Sequence, residues 1–171
     1  MNDALQNLLN AIEQGDQEQT WEAAKGLCSI LETEIVSPLI SLLRNAERPI
    51  SRAASAYILG NVRIAFARSS LEEVLSDTNE DALVRGHAAE ALAYIGNRDS
   101  VPVLIRQLDE KDPEVKYWSI FALGEIADPK AEPALQQVAE SVGGLQYRSF
   151  SLRAEALDAL AKIQEHQIGD Q

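Results

Sequence analysis

An all-α fold, an α-α superhelix (α-solenoid) of about five helical hairpins without strands, is predicted by three observations. The chain has 171 residues, 46% of them hydrophobic but only 5% aromatic, and Gly and Pro together number 15, so the β-branched runs and turn clusters of a sandwich or barrel are missing. Apolar residues recur at helical spacing throughout. Finally, the pattern repeats. Val84-Arg85 falls on Val115-Lys116 at an offset of 31, and the match continues ungapped through Ala91-Leu92 on Ala122-Leu123, Ile95 on Ile126, Pro102 on Pro133 and Leu104 on Leu135. Back by 33, Arg85 meets Arg52 and Leu92 meets Leu59; forward by 37, Lys116 meets Arg153 and Leu123 meets Leu160. A further step of 32 brings Leu59 onto Leu27. One domain, 1–171, therefore divides into copies near 1–32, 33–66, 67–97, 98–128 and 129–166, followed by a short polar tail.

The elements follow in order as helices over 3–14, 17–31, 34–45, 50–66, 69–76, 81–96, 99–110, 113–127, 130–141 and 148–165, two per copy. The first pair is rich in Gln and Glu around Glu13–Gln19, as an end unit facing water would be. The second and third pairs repeat the stripe of the fourth, which is the clearest. There Val115, Trp118, Ser119, Ala122, Leu123 and Ile126 lie at i, i+3, i+4, i+7, i+8 and i+11, one face of a helix. Its partner, with Val101, Leu104, Ile105 and Leu108, is introduced by Asp99-Ser100 and Pro102; Asp112-Pro113 starts the second helix, Asp as a cap and Pro where no N–H is needed. The fifth pair is separated by the long connection 141–150, whose Gly143-Gly144 could end a helix. Its last helix runs out into Gln164–Gln167, again polar.

Asp112-Pro113-Glu114-Val115-Lys116 with Ala122-Leu123-Gly124, and Leu83-Val84-Arg85 with Ala91-Leu92, resemble HEAT-like repeats, closest to the short bacterial kind found in phycobilisome lyase subunits and scaffolding proteins. The resemblance implies that the second helix of each pair lines the concave side.

Charge and cysteine usage bound the partners. Twenty-seven acidic against 15 basic side chains give a net charge of -12, which opposes nucleic-acid binding. No apolar run approaches the roughly 18 residues of a membrane span, and Met1–Leu5 has no signal-peptide character. Cys28 is the only cysteine, so a cytoplasmic address needs no disulfide.

Several residues invite chemistry. The repeated cations Arg52, Arg85, Lys116 and Arg153 could form an anion-binding row, or an inter-repeat ladder pairing with acidic turn residues such as Asp81, Asp112 or Asp128; the ladder is the expectation. HEAT-repeat hydroxylases that hold a di-iron centre use adjacent His-Glu pairs in several copies. Here His87 and Glu90 lie three apart, but the equivalents of His87 are Ala54 and Trp118, so no metal and no other cofactor is expected, and His87 reads as an inter-helix contact. Cys28 shares a small-residue column with Gly60, Ala93, Gly124 and Ala161, where helices approach closely, and reads as a packed thiol. No Ser-His-Asp set or phosphate loop appears.

The aromatics are the remaining signal. Trp21, Tyr57, Tyr117 and Phe121, with Glu90 in the same columns, would either project into the concave groove above small residues or pack between inner helices. On the first alternative the chain is a non-enzymatic scaffold binding a protein or peptide partner; an accessory subunit of a bilin lyase is the other reading.

Overall fold

The computed structural model describes residues 3–28, 33–141 and 146–169. Ten helices run in order among them: α1 (Asp3–Gln14), α2 (Gln17–Cys28), α3 (Val36–Asn45), α4 (Pro49–Asn61), α5 (Arg68–Ser76), α6 (Ala82–Ile95), α7 (Val101–Arg106), α8 (Pro113–Ile126), α9 (Glu132–Glu140) and α10 (Leu152–Gly169). Each odd helix packs on the even helix that follows, and the even helices stack on one another, α2 on α4, α4 on α6, α6 on α8 and α8 on α10. The result is a two-layer α-solenoid whose inner row is the even helices. Its core is built in columns. Leu59, Leu92 and Leu123 of the inner row, and Leu71, Leu104 and Leu135 of the outer, are all fully buried, each contributing about 2 kcal/mol by transfer from water.

The local chemistry explains the boundaries. Asp16 and Gln19 form a reciprocal capping box at α2, side chain to backbone N–H in both directions at 2.9 and 3.0 Å. Asp81 accepts from the Leu83 N–H, and Asp112 from the N–H groups of Glu114 and Val115, so these carboxylates start α6 and α8. Asn97 and Asp128 accept from Asp99 and Lys130 and tighten the chain into single 3₁₀ turns ahead of α7 and α9. Gly96 ends α6 with a left-handed φ of 69°. Helix α4 stops at Asn61, five residues earlier than the apolar spacing suggests, because Arg63 turns left-handed (φ 52°) while its N–H bonds to the Gly60 carbonyl and the Ile64 N–H to that of Leu59.

The expectation of a strand-free chain is corrected in the long connection. Strands β1 (Gln146–Tyr147) and β2 (Phe150–Ser151) pair antiparallel across Arg148, which takes φ 55°. This hairpin delays the last helix to Leu152, and α10 then runs on to Gly169. Residues 29–31, at the expected end of the second helix, and Val142–Leu145, including the proposed Gly143-Gly144 stop, lie outside the described residues. Among the described residues no helix is long and apolar enough to cross a membrane.

Candidate functional site

The inner row carries two clusters of polar and aromatic side chains. The first joins three hairpins. Trp21 of α2 meets Tyr57 of α4 edge to face at 5.6 Å, and the His87 ring of α6 lies 5.1 Å from Trp21 and 6.1 Å from Tyr57. One turn on, Glu90 sits with Oε2 2.8 Å from His87 Nδ1 and accepts from the Tyr94 hydroxyl at 3.2 Å. Glu90 is therefore buried, not the groove-lining acid that its column implied. Burial and then the Glu90 charge push Tyr94 up to about 12. His87 is an inter-helix contact, held by a carboxylate on one side and two rings on the other.

The second cluster lies where α8 meets α10. The Lys162 ammonium is 2.9 Å from a Glu125 oxygen and 2.8 Å from one of Asp158, and stands 5.6 Å over the Phe121 ring. Those carboxylates, Asp158 first, hold the ammonium above its usual range. Next to it, Glu155 is half-buried; burial and then the neighbouring Asp158 charge raise its carboxyl. Sequence reasoning missed Lys162. The signal was available in Asp158 and Lys162 four apart on one helix face, opposite Glu125 one repeat back.

The remaining aromatics continue across α8. Tyr94 meets Phe121 at 6.4 Å, Phe121 meets Trp118 at 5.6 Å and Trp118 meets Tyr117 at 5.2 Å. Tyr117 is then covered by Tyr147 and Phe150, each at 5.3 Å, with the Tyr147 hydroxyl donating to Glu114 at 2.8 Å. Tyr117 is consequently buried, where the groove reading needed it to project; the β-hairpin lies over it. Trp21, Tyr57 and Phe121 are half-buried.

The cation column divides. Arg52 grips both Glu80 oxygens at 2.7 Å and donates to the carbonyls of Ala46 and Glu47. Arg85, buried, donates to Leu75 O, Gln107 and Glu110. The acids engaged are Glu80 and Glu110, while the expected Asp81, Asp112 and Asp128 cap helices instead. Lys116 is half-buried and Arg153 exposed. Cys28 is half-buried, and burial pushes its thiol up, away from reactivity.

Comparison with known proteins matches this geometry to repeat families. A family described as HEAT repeats covers residues 69–144. Deoxyhypusine hydroxylase of Candida albicans is 33% identical over 98 residues, spanning 56% of this chain and 30% of that protein. The hydroxylase of Drosophila melanogaster is 37% identical over 71 residues, 42% of this chain and 24% of the relative. The chain thus spans less than a third of the length of these curated relatives. Among solved structures, an engineered protein (TM-score 0.62, 24% identity, 95% of this chain and 80% of that one) and a designed armadillo repeat protein (0.59, 21%, 93% and 82%) share the fold. Residues 69–144 thus match HEAT repeats, and the described chain as a whole has the fold of a helical-repeat protein.

These relatives are enzymes by name, which overturns the expectation of a non-enzymatic scaffold for a protein or peptide, and with it the bilin-lyase accessory reading. The expectation that no metal is taken loses its ground as well, since HEAT-repeat hydroxylases were the di-iron class set against it. The described residues themselves do not fit a two-iron site: no group of three or more His, Cys, Asp and Glu side chains is arranged among them to hold a metal, and His87 and Glu90 make a single pair.

Proposed function

Taking the chain as one of HEAT-like repeats, we propose that it is the substrate-holding part of a deoxyhypusine-hydroxylase-like protein, and that its inner face takes a cationic side chain. Deoxyhypusine is a lysine extended by an aminobutyl group, so it offers primary and secondary amines that are positive at neutral pH. The observation that carries the reading is Lys162. A primary ammonium of this chain is already held between two carboxylates and over an aromatic ring, by Asp158, Glu125 and Phe121. An incoming amine finds the same chemistry alongside, because Glu155 is a half-buried carboxylate whose carboxyl is raised by burial and then by the Asp158 charge, against the opposing pull of Lys162. An ammonium set beside Glu155 lowers that carboxyl back toward its ordinary range and is held in return. The oxygen-inserting chemistry is assigned to no residue described in this chain. A cytoplasmic address goes with this reading.

The test compares a peptide bearing deoxyhypusine with the same peptide bearing lysine, by titration calorimetry on the full chain. The modified peptide is expected to bind at least about tenfold tighter, to weaken with salt, and to lose its advantage in Glu155→Gln and Asp158→Asn. Equal binding of the two peptides, or an advantage untouched by both substitutions, sinks the proposal. A parallel assay with ferrous iron and a reductant follows the gain of one oxygen atom by the peptide in mass spectrometry.

A further inference from the structure

The ladder between the hairpins is built around an arginine at two junctions and lacks its cation at the first. Each arginine rung has two halves. A guanidinium near the start of an inner helix holds backbone carbonyls of its own hairpin, and it also meets a glutamate at the turn of the next hairpin. Arg52 takes the Ala46 and Glu47 carbonyls at 2.6 and 3.0 Å on one side and both Glu80 oxygens at 2.7 Å on the other. Arg85 takes the Leu75 carbonyl at 3.1 Å and the Glu110 carboxylate at 2.8 Å.

One repeat earlier the two turns are in place and the cation is not. The residue 32 before Arg52 is Thr20, fully buried, whose hydroxyl donates to the Asp16 carbonyl at 2.8 Å and so serves only its own hairpin. The residue 33 before Glu80 is Glu47, in the turn of the next hairpin. A threonine side chain is too short to join the two. Between the end of α1 and the α3–α4 turn lies a cavity of about 470 Å³, lined by Glu13, Gln14, Asn45, Ala46, Glu47 and Arg48. Arg48 comes from the second hairpin and reaches the Glu13 carbonyl at 3.2 Å. Among the described residues the Glu13 and Glu47 carboxylates have no hydrogen bond or ion pair, so two acids line the cavity against one guanidinium.

We propose that this cavity takes a guanidinium group from outside the chain, as the cation of the first rung. The arginine rungs set the chemistry. Arg52 meets a carboxylate with two parallel N–H groups and turns a further N–H to neutral oxygens, a division that a planar fork makes and the point charge of an ammonium does not. At the first junction Glu47 supplies the carboxylate. Asn45, whose NH2 group donates to the Ser41 carbonyl, keeps its amide oxygen as an acceptor, and Gln14 brings a second amide. The guanidinium belongs to an arginine of a polypeptide or to a small free compound; the recognition is the same for both. This site is separate from the Lys162 cluster between α8 and α10, so it stands whether or not that cluster binds an amine.

Backbone amide resonances of the isotope-labelled full chain, followed during titration with argininamide, lysinamide and a blocked Gly-Arg-Gly tripeptide, test this. Argininamide should shift Asn45, Ala46 and Glu47 saturably, bind at least about fivefold tighter than lysinamide, and lose that preference in Glu47→Gln. Thr20→Arg, which returns the guanidinium to α2, should block the titration and raise the melting temperature. A tripeptide that binds more tightly than argininamide supports the proposal with a polypeptide arginine as the source; equal binding supports it with a free guanidinium compound. Argininamide shifts no tighter than those of lysinamide overturn the proposal, and so does a preference that survives Glu47→Gln. Should Thr20→Arg fail to fold, the Glu47→Gln comparison decides alone.

Discussion

The inner-row glycines allow one substitution, Gly to Ala, to be tried at three positions where the available space differs and the helical context does not. In a helix interior Ala is worth about 0.8–1 kcal/mol over Gly from backbone freedom alone. At Gly26 an added Cβ meets only the tip of Leu8 at 3.6 Å, ordinary contact with a flexible side chain, so the full gain of about 0.5–1 kcal/mol should appear. At Gly124 it meets the Cα and Cβ of Ala159, both at 2.9 Å, and the strain roughly cancels or slightly exceeds the gain. At Gly60 it meets the Ala91 Cα at 2.5 Å and Cβ at 2.7 Å. Backbone cannot rotate away, so α4 and α6 must part by about 1 Å along their junction, an overpacking cost toward the upper end of about 1–3 kcal/mol that leaves a net loss of up to about 2 kcal/mol. At about 2–4 °C per kcal/mol for a chain of this size, Gly26→Ala should melt a few degrees above the natural protein and Gly60→Ala several degrees below it. Urea denaturation followed by circular dichroism gives the order independently. A Gly60→Ala chain as stable as Gly26→Ala would refute the claim that the small column sets the helix approach.

Three further outcomes follow from the hydrogen-bond and charge geometry. Arg85→Met should cost about 2–3 kcal/mol, since it removes a buried guanidinium and leaves the Leu75 carbonyl, Gln107 and Glu110 without the hydrogen bonds it donates. The Arg85 bond holds the Glu110 carboxyl below its ordinary 4.5, so that part of the stability is complete above this value and is lost as pH falls through the lower folded value; acid titration of Arg85→Met should lack this component. Tyr94 and Tyr147 are both raised to about 12, chiefly by burial, so their contribution is complete below the ordinary 10.0 and disappears as pH climbs toward 12. Ultraviolet phenolate absorbance should therefore rise together with loss of helix, and Tyr147→Phe should cost about 1 kcal/mol from the bond to Glu114.

What was legible in the sequence was whatever the repeat imposes many times. The columns Leu59/Leu92/Leu123 and Gly60/Ala93/Gly124 each report one physical requirement in several copies, burial in the first and close approach in the second, so alignment alone places them. Features made once were not legible. The β-hairpin at 146–151 depends on Arg148 adopting a left-handed φ, which no repeat partner predicts, and it reverses the environment of Tyr117 from groove to interior. Glu90 failed for a related reason: its column is exposed in the neighbouring copy, at Phe121 in part, but here His87 and Tyr94 close over it. The ladder acids were placed one or two residues off, at Asp81 instead of Glu80 and at Asp112 instead of Glu110, because Asp is the better helix cap and was already committed to the backbone.

The charge of the chain takes its functional meaning from this division of roles. Arg52 and Arg85 point into turns, where they satisfy carbonyls and glutamates between hairpins, and are thereby withdrawn from the inner surface. Aspartates 81, 112 and 128 are withdrawn likewise as helix caps. Around the Phe121 ring, where α8 meets α10, Glu125, Glu155 and Asp158 stand against the ammonium of Lys162, a local excess of carboxylate beside an aromatic ring. Lys162→Met makes the consequence measurable. It removes the internal cation without touching the acids, so a primary-amine ligand should bind more tightly and with a steeper salt dependence, as one ammonium replaces the other. If the acids only hold α10 against α8, Lys162→Met weakens that junction and amine binding does not improve.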